Sequence, residues 1–258
     1  MLVLVSVSLF AFVMISPDAA AAARTWTTDV DFNEAGSVFL STEVVGTGAP
    51  AKVELIKSTT DWANKNPANP TPGNLESPSM AYDELGGVTV LFGGYNGLAP
   101  NLYSDKTWEY NWALNTWTEI TGSPHPSLRQ SSAMSYDPVE QVMVLFGGYN
   151  DTDFLTDTWE YDVATNTWAQ ITTAPNPNQM ATYTLVYHAS ASRHLMVGSD
   201  FSQNIVVWQY DAAADTWQQR FPFNTPSARS GFATAYHAAR DRTVLFGGSN
   251  FMTLYDQT

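Results

Sequence analysis

"VMVLFGGYNDTDFLTDTWEYDVATNTW", Val142 to Trp168, decides the fold, because the chain has already said nearly the same thing in "VTVLFGGYNGLAPNLYSDKTWEYNWALNTW", Val88 to Trp117. Aligning on the glycine pair brings Gly94, Gly148, Gly198 and Gly248 into register, at intervals of 54, 50 and 50. The tryptophans keep the step: Trp108, Trp159 and Trp208 are each followed nine residues later by Trp117, Trp168 and Trp217, with Tyr110, Tyr161 and Tyr210 two residues after the first Trp. The unit is therefore spoken three times in full, and a fourth time, from Arg229, as far as "LYD". A period near 50 with four short strands per unit is the mark of propeller blades.

The strands follow from the residues. "VMVLF" and "VTVLF" are apolar at almost every position, so both faces of that strand have to be covered, which a blade between two blades achieves. A shorter segment precedes each, "SSAMSYD", "YTLVYH" or "GFATAYH", and a turn such as "DPVEQ" joins the two as a hairpin. The glycine pair ends the apolar run where the backbone turns or approaches a neighbour closely. Trp159 and Tyr161, at i and i+2, share one face of a third strand, and "DVATN" turns the chain into a fourth carrying Trp168. Large aromatics then fill the widening gap between blades, so Trp108, Trp159 and Trp208 are predicted to be buried there. No window after Arg24 shows sustained 3.6-residue apolar spacing, so the expected class is all-β without further helix.

The wording "R-x-x-S-A-M-S-Y-D…V-L-F-G-G…D-T-W-E-Y-D…N-T-W" resembles the kelch repeat family, and within it the secreted prokaryotic branch related to the central domain of galactose oxidase. The resemblance covers Ser77 to Asp256. It implies a β-propeller of four-stranded blades, here an open arc of about four to five blades rather than a closed ring. Blade three departs from the pattern, since Val197 replaces the first glycine and the loop that follows is shorter.

Three segments are expected. Residues 1–23 read as a signal peptide: Leu2 to Ile15 is an uncharged apolar run too short for the roughly 20 residues of a membrane span, and the small-residue tract Ala19 to Ala23 suits cleavage. Residues 24–76 read as an N-terminal β segment with a degenerate partial blade, because "VELIKSTTDW", Val53 to Trp62, can be laid on "WEYDVATNTW" and "SVFLSTEVV" has strand character. Residues 77–258 carry the kelch repeats, three full blades and a truncated fourth. Apolar faces are expected at both ends of the arc, where further blades would pack.

Composition excludes several functions. With 258 residues, 44% hydrophobic and 13% aromatic, the chain has the material for a sizeable core. A formal charge of -14 opposes nucleic acid and anionic lipid as partners, and no membrane insertion is expected after signal cleavage. The absence of cysteine removes disulfides and thiolate metal sites. It also removes the Tyr-Cys cofactor that the resemblance to copper radical oxidases would imply, so no cofactor is expected.

Candidate chemistry is sparse. His188 and His237 share one repeat position, after the first-strand Tyr, where Asp83 and Asp137 stand in the other blades, which reads as a turn position more than a metal ligand. The acidic loop "NDTDFLTD" offers Asp151, Asp153 and Asp157 to a calcium ion, but Asp157 parallels Asp105 ahead of Thr-Trp as a turn-former, and the Gly and Glu of a calcium loop are missing. No Ser-His-Asp signature, phosphate loop or zinc spacing is legible, so neither catalytic nor metal residues are named.

A surface is left. The kelch resemblance implies ligand contact near the start of each first strand, which here means Arg129 and Ser131, and Arg229 and Ser230. Loop residues after the glycines, Tyr95, Asn96, Tyr149, Asn150, Asp200 and Asn250, are the next candidates. Arg supplies a fork of donors for a carboxylate, and Tyr and Asn supply stacking and hydrogen bonds; alternatively the two arginines tie loops of the propeller together. The expected function is a secreted or cell-surface binding module that recognises protein or glycan through one propeller face. The alternative is a carbohydrate-active enzyme, an epimerase, mutarotase or lyase, although the channel-entry positions hold no His, Glu or Lys for acid-base work.

Overall fold

The computed structural model describes the backbone of 37–42 and 53–58, and residues 65–97, 102–172, 174–250 and 253–255. The chain divides into two compact units, Met1–Asn64 and Lys65–Thr258. In the first, β1 (Ser37–Thr42) and β2 (Val53–Ser58) pair antiparallel from Ser37↔Ser58 to Thr42↔Val53. The signal segment, Trp62 and the last three residues lie outside the described residues. The second unit begins at Lys65, ahead of the first repeat. Ala68 bridges to Thr116, Asn115 Nδ2 donates to the Lys65 carbonyl, and the Lys65 ammonium sits 3.6 Å from the Trp112 ring centroid.

Blade 1 is β3 (Ser79–Asp83), β4 (Val88–Phe92), β5 (Thr107–Asn111) and β6 (Thr116–Ile120). Blade 2 is β7 (Ala133–Asp137), β8 (Val142–Tyr149), β9 (Phe154–Asp162) and β10 (Thr167–Ile171). Blade 3 is β11 (Thr182–His188), β12 (Arg193–Ser199), β13 (Ile205–Asp211) and β14 (Thr216–Arg220). The fourth blade supplies β15 (Ser230–His237) and β16 (Arg242–Ser249), and among the described residues Ser249 also bridges to Leu254. Each sheet is an antiparallel meander in sequence order, and β3, β7, β11 and β15 lie side by side as the inner strands. The described residues are thus all-β apart from two 3₁₀ turns, Ala189–Ala191 and Ala238–Arg240. Those turns occur where histidine replaces aspartate. Asp83 and Asp137 accept from the backbone N–H groups two and three residues on, whereas His188 and His237 make no such cap and the turn tightens.

The core consists of slabs between blades rather than one centre. Val90, Phe92, Met143, Leu145, Trp159, Tyr161 and Trp168 form one slab, and Val144, Phe146, Met196, Trp208, Tyr210 and Trp217 the next. Trp108, Trp159 and Trp208 are buried, as the repeat predicts. In blades 2 and 3 the second tryptophan of the pair does the bridging. Trp168 meets Phe92 of the preceding blade edge-on at 5.3 Å and donates to Thr107 Oγ1 at 2.9 Å. One blade on, Trp217 meets Phe146 at 5.3 Å and donates to Thr158 Oγ1 at 2.8 Å. Tyr161 and Tyr210 donate to Glu109 and Glu160 in the same two seams, each at 2.8 Å.

The series also explains the arc's open end. Phe246 and Val244 occupy the places of Phe146 and Val144, yet are 55% and 38% exposed where their counterparts are 1% and 0%. β8 is buried along both faces, but β16 alternates. At the other end, Met80 and Tyr82 on β3 are exposed. These are the uncovered apolar faces that the repeat count predicts.

The seam between blades 2 and 3 is sensitive to pH. Burial pushes the Glu160 carboxyl up to about 7; the hydrogen bond from Tyr210 opposes the rise, and Asp215, Asp137 and Glu140 add to it. A carboxyl raised in the folded state contributes stability that is complete below its unfolded pKa, near 4.5, and is lost as pH rises through about 7. Buried His194, its pKa pulled down, slopes the other way. The Glu160 contribution is therefore read as a difference. Between pH 5 and pH 8 the melting temperature of Glu160→Gln is expected to gain on that of the wild type, and a gap independent of pH would contradict the assignment.

Candidate functional site

Two kinds of segment meet on one face: the loops after the glycine pairs and the connections that enter each new blade. Gly147 and Gly148 shape the first, with φ of +65° and +112°. A Cβ at these positions would stand 3.0 Å from the Leu155 carbonyl and 2.9 Å from that of Gln130, so only glycine fits. The β8–β9 ladder shifts register at this point. In blade 3, where Val197 stands first, β12 and β13 pair without a shift.

The connections deliver the arginines, and the structure places them inside. Arg129 is fully buried. Its Nε donates to the Ser127 carbonyl, Nη1 to the Gly147 carbonyl at 2.8 Å, and the fork grips Asp157 at 2.6 and 2.8 Å. Burial alone would raise the Asp157 pKa, but the bonds and charge of Arg129, with a bond from Trp159 Nε1, hold it below the usual carboxylate range. Arg229 repeats the bonds to Ser227 and Gly247, with Tyr255 beneath its guanidinium at 4.0 Å. Both forks are engaged by contacts within the fold, the reading in which the arginines tie loops together. Thr107 and Thr158 are equivalent, so Asp157 stands in the place of Lys106 rather than Asp105, and it is an ion-pair partner, not a turn-former.

The remaining candidates separate by what their polar atoms do. Asn150 Oδ1 accepts from the N–H groups of Thr152 and Asp153, Asn250 does the same for Thr253, and Asp200 accepts from Ser202 and Asn204. These residues build their loops, and Asn96 lies in the corresponding loop of blade 1. Ser131 donates its backbone N–H to the Ser77 carbonyl, and Ser230 accepts from Gln203. Tyr95 and Tyr149 are different. Their backbones are pinned by paired bonds to Glu76 and Gln130, 2.8 to 3.0 Å, while their rings stay partly exposed.

Those two rings belong to a ladder. Tyr95 meets Tyr103 at 5.3 Å, Tyr103 meets Tyr149 at 6.2 Å, Tyr149 meets Phe154 at 5.2 Å, and Phe154 meets Phe201 at 5.1 Å. Five rings thus cross three blades, and Phe154 and Phe201 are exposed. Tyr149 donates to the Asp151 carbonyl at 2.7 Å, and Asp151 and Asp153 are exposed beside it. Tyr103, Phe154 and Phe201 are not among the residues the sequence picked out. The available signal was an aromatic in each of three loops otherwise rich in Asn and Asp. A shallow groove of about 500 Å³, lined by 105–107, 119–125 and 165–168, includes none of the ladder rings.

The structure also assembles a trio that is not legible in sequence. Ser135 Oγ lies 2.6 Å from His194 Nδ1, and His194 Nε2 lies 3.3 Å from Asp137 Oδ2. Asp137 is held below its ordinary pKa: burial would raise it, but His194 and the N–H groups of Glu140 and Val139 outweigh that. Burial lowers the His194 pKa against the pull of Asp137, and its Nδ1 shares a hydrogen bond with Ser135 Oγ. At 8%, 0% and 1% exposure the three lock blade 2 to blade 3 and offer no nucleophile to solvent.

Comparison with known proteins follows the same lines. The chain matches the KLHDC2/KLHL20/DRC7 Kelch-repeats domain over residues 52–249. It is similar to Kelch domain-containing protein 10, with 30% identity over 123 residues to that of Xenopus laevis and 28% over 131 residues to that of Homo sapiens. Those alignments take in 45% and 48% of this chain and 29% of each relative, so the chain spans under a third of their length. It is also 34% identical over 84 residues to Kelch-like protein 23 of Pongo abelii, covering 33% of this chain and 13% of that protein.

Proposed function

This chain belongs to the kelch-repeat family, and we propose that it is a non-catalytic interaction module that recognises a protein segment through the loop face of blades 1 to 3. The observation that carries this reading is the aromatic ladder from Tyr95 to Phe201, a row of rings partly open to solvent in which Tyr95 and Tyr149 are held by paired backbone hydrogen bonds. Pinned aromatics give contact area at little entropic cost, which suits recognition. Sugars also stack on such rings, so glycan recognition is the competing outcome. The same proposal places the chain outside the cell or at its surface, supported by the apolar run Leu2 to Ile15.

The test is a selection against a displayed peptide library run beside a glycan array and a turnover screen on uronic and sialic acids. Peptides are expected to be enriched. Tyr149→Ala with Phe201→Ala should weaken their binding about tenfold or more while shifting stability by no more than about 1 kcal/mol, as for surface changes. Glycan binding without peptide binding, or turnover of an acid sugar, would overturn the reading.

A further inference from the structure

We infer that the ladder takes a cationic segment: an extended peptide bearing Arg or Lys, laid across blades 1 to 3. This rests on the interaction reading above and names the chemistry of its partner. Four ring-to-ring steps of 5.1 to 6.2 Å are spanned by roughly six residues of extended chain. The faces of the rings attract a cation, and Arg is the better fit because it stacks as well as carrying charge.

The charge around the ladder has one sign. Asp151 and Asp153 flank Tyr149, and Asp200 begins the loop that carries Phe201. The Tyr103 hydroxyl is pushed up, first by desolvation and then by Asp151, Tyr149 and Tyr95. Among the described residues near these loops, Lys106 pairs with Glu119, Arg193 with Asp211, and Arg129 is buried against Asp157. An aromatic row with acidic flanks complements a basic chain.

The experiment measures fluorescence anisotropy of three labelled ten-residue peptides, Gly-Ser backbones carrying three Arg, three Glu or neither, against the whole chain at low salt and at 0.5 M. The Arg peptide is expected to bind at least about tenfold more tightly than the neutral one. Tyr149→Leu with Phe154→Leu, which keeps every charge, should remove most of that preference. Undiminished binding of the Arg peptide by this variant would reveal only general attraction to an acidic protein and overturn the inference. Preference for the neutral or Glu peptide, lost in the same variant, would overturn the inference while leaving the interaction module standing. Failure of all three peptides would overturn the inference too, and the library and glycan screens then judge the module separately.

Discussion

Arg129→Ala is expected to cost about 3–5 kcal/mol, because it leaves the Asp157 carboxylate in a largely enclosed site without its partner. The loss goes beyond one ion pair. The same guanidinium holds the Ser127 and Gly147 carbonyls, so its removal frees the connection into blade 2 from the glycine turn that ends β8. For a unit of this size the melting temperature should fall by roughly 10 °C or more. Arg229→Ala should cost less, since Arg229 makes the same carbonyl bonds but faces the Tyr255 ring where Arg129 grips a carboxylate. Equilibrium denaturation of the two variants decides it. A cost below about 1 kcal/mol for Arg129→Ala would return that residue to the list of ligand contacts.

The second large effect is expected at Trp217. It is 2% exposed, packs edge-on against Phe146 and donates to Thr158, so Trp217→Ala opens a cavity in the seam between blades 2 and 3 and leaves the Thr158 hydroxyl without its donor. About 3–5 kcal/mol should be lost. Phe146→Ala should not add its full cost on top, because both changes empty one contact, and the coupling in a double-mutant cycle should reach about 1 kcal/mol. Additive losses would show that the two rings do not share the seam.

Repetition explains what could be read from the sequence. The apolar runs, the glycine pair and the spaced Trp and Tyr recur in register, and each copy vouches for the others; hence the strands, the buried tryptophans and the open end at Phe246 were all accessible. Loops differ from blade to blade and carry no such confirmation. Tyr103, Phe154 and Phe201 come together only because three blades pack side by side, and nothing in local sequence sets Tyr103 against Tyr149, 46 positions on. Arg129 shows the same limit. Its fork was legible as a fork, but which carboxylate it meets depends on how the connection folds over β9, where Asp157 stands 28 residues away. The trio of Ser135, Asp137 and His194 spans two blades and leaves no linear pattern.

On the proposed function, the loop face bearing the ladder is where this propeller meets its partner. Hydrogen exchange of the whole chain, alone and saturated with a selected peptide, locates that face. New protection is expected in the loops 93–97, 148–155 and 199–204 and in the adjoining connections, with the turns at 163–166 and 212–215 unchanged. Protection confined to those turns, or to the exposed strand 242–249, would contradict it.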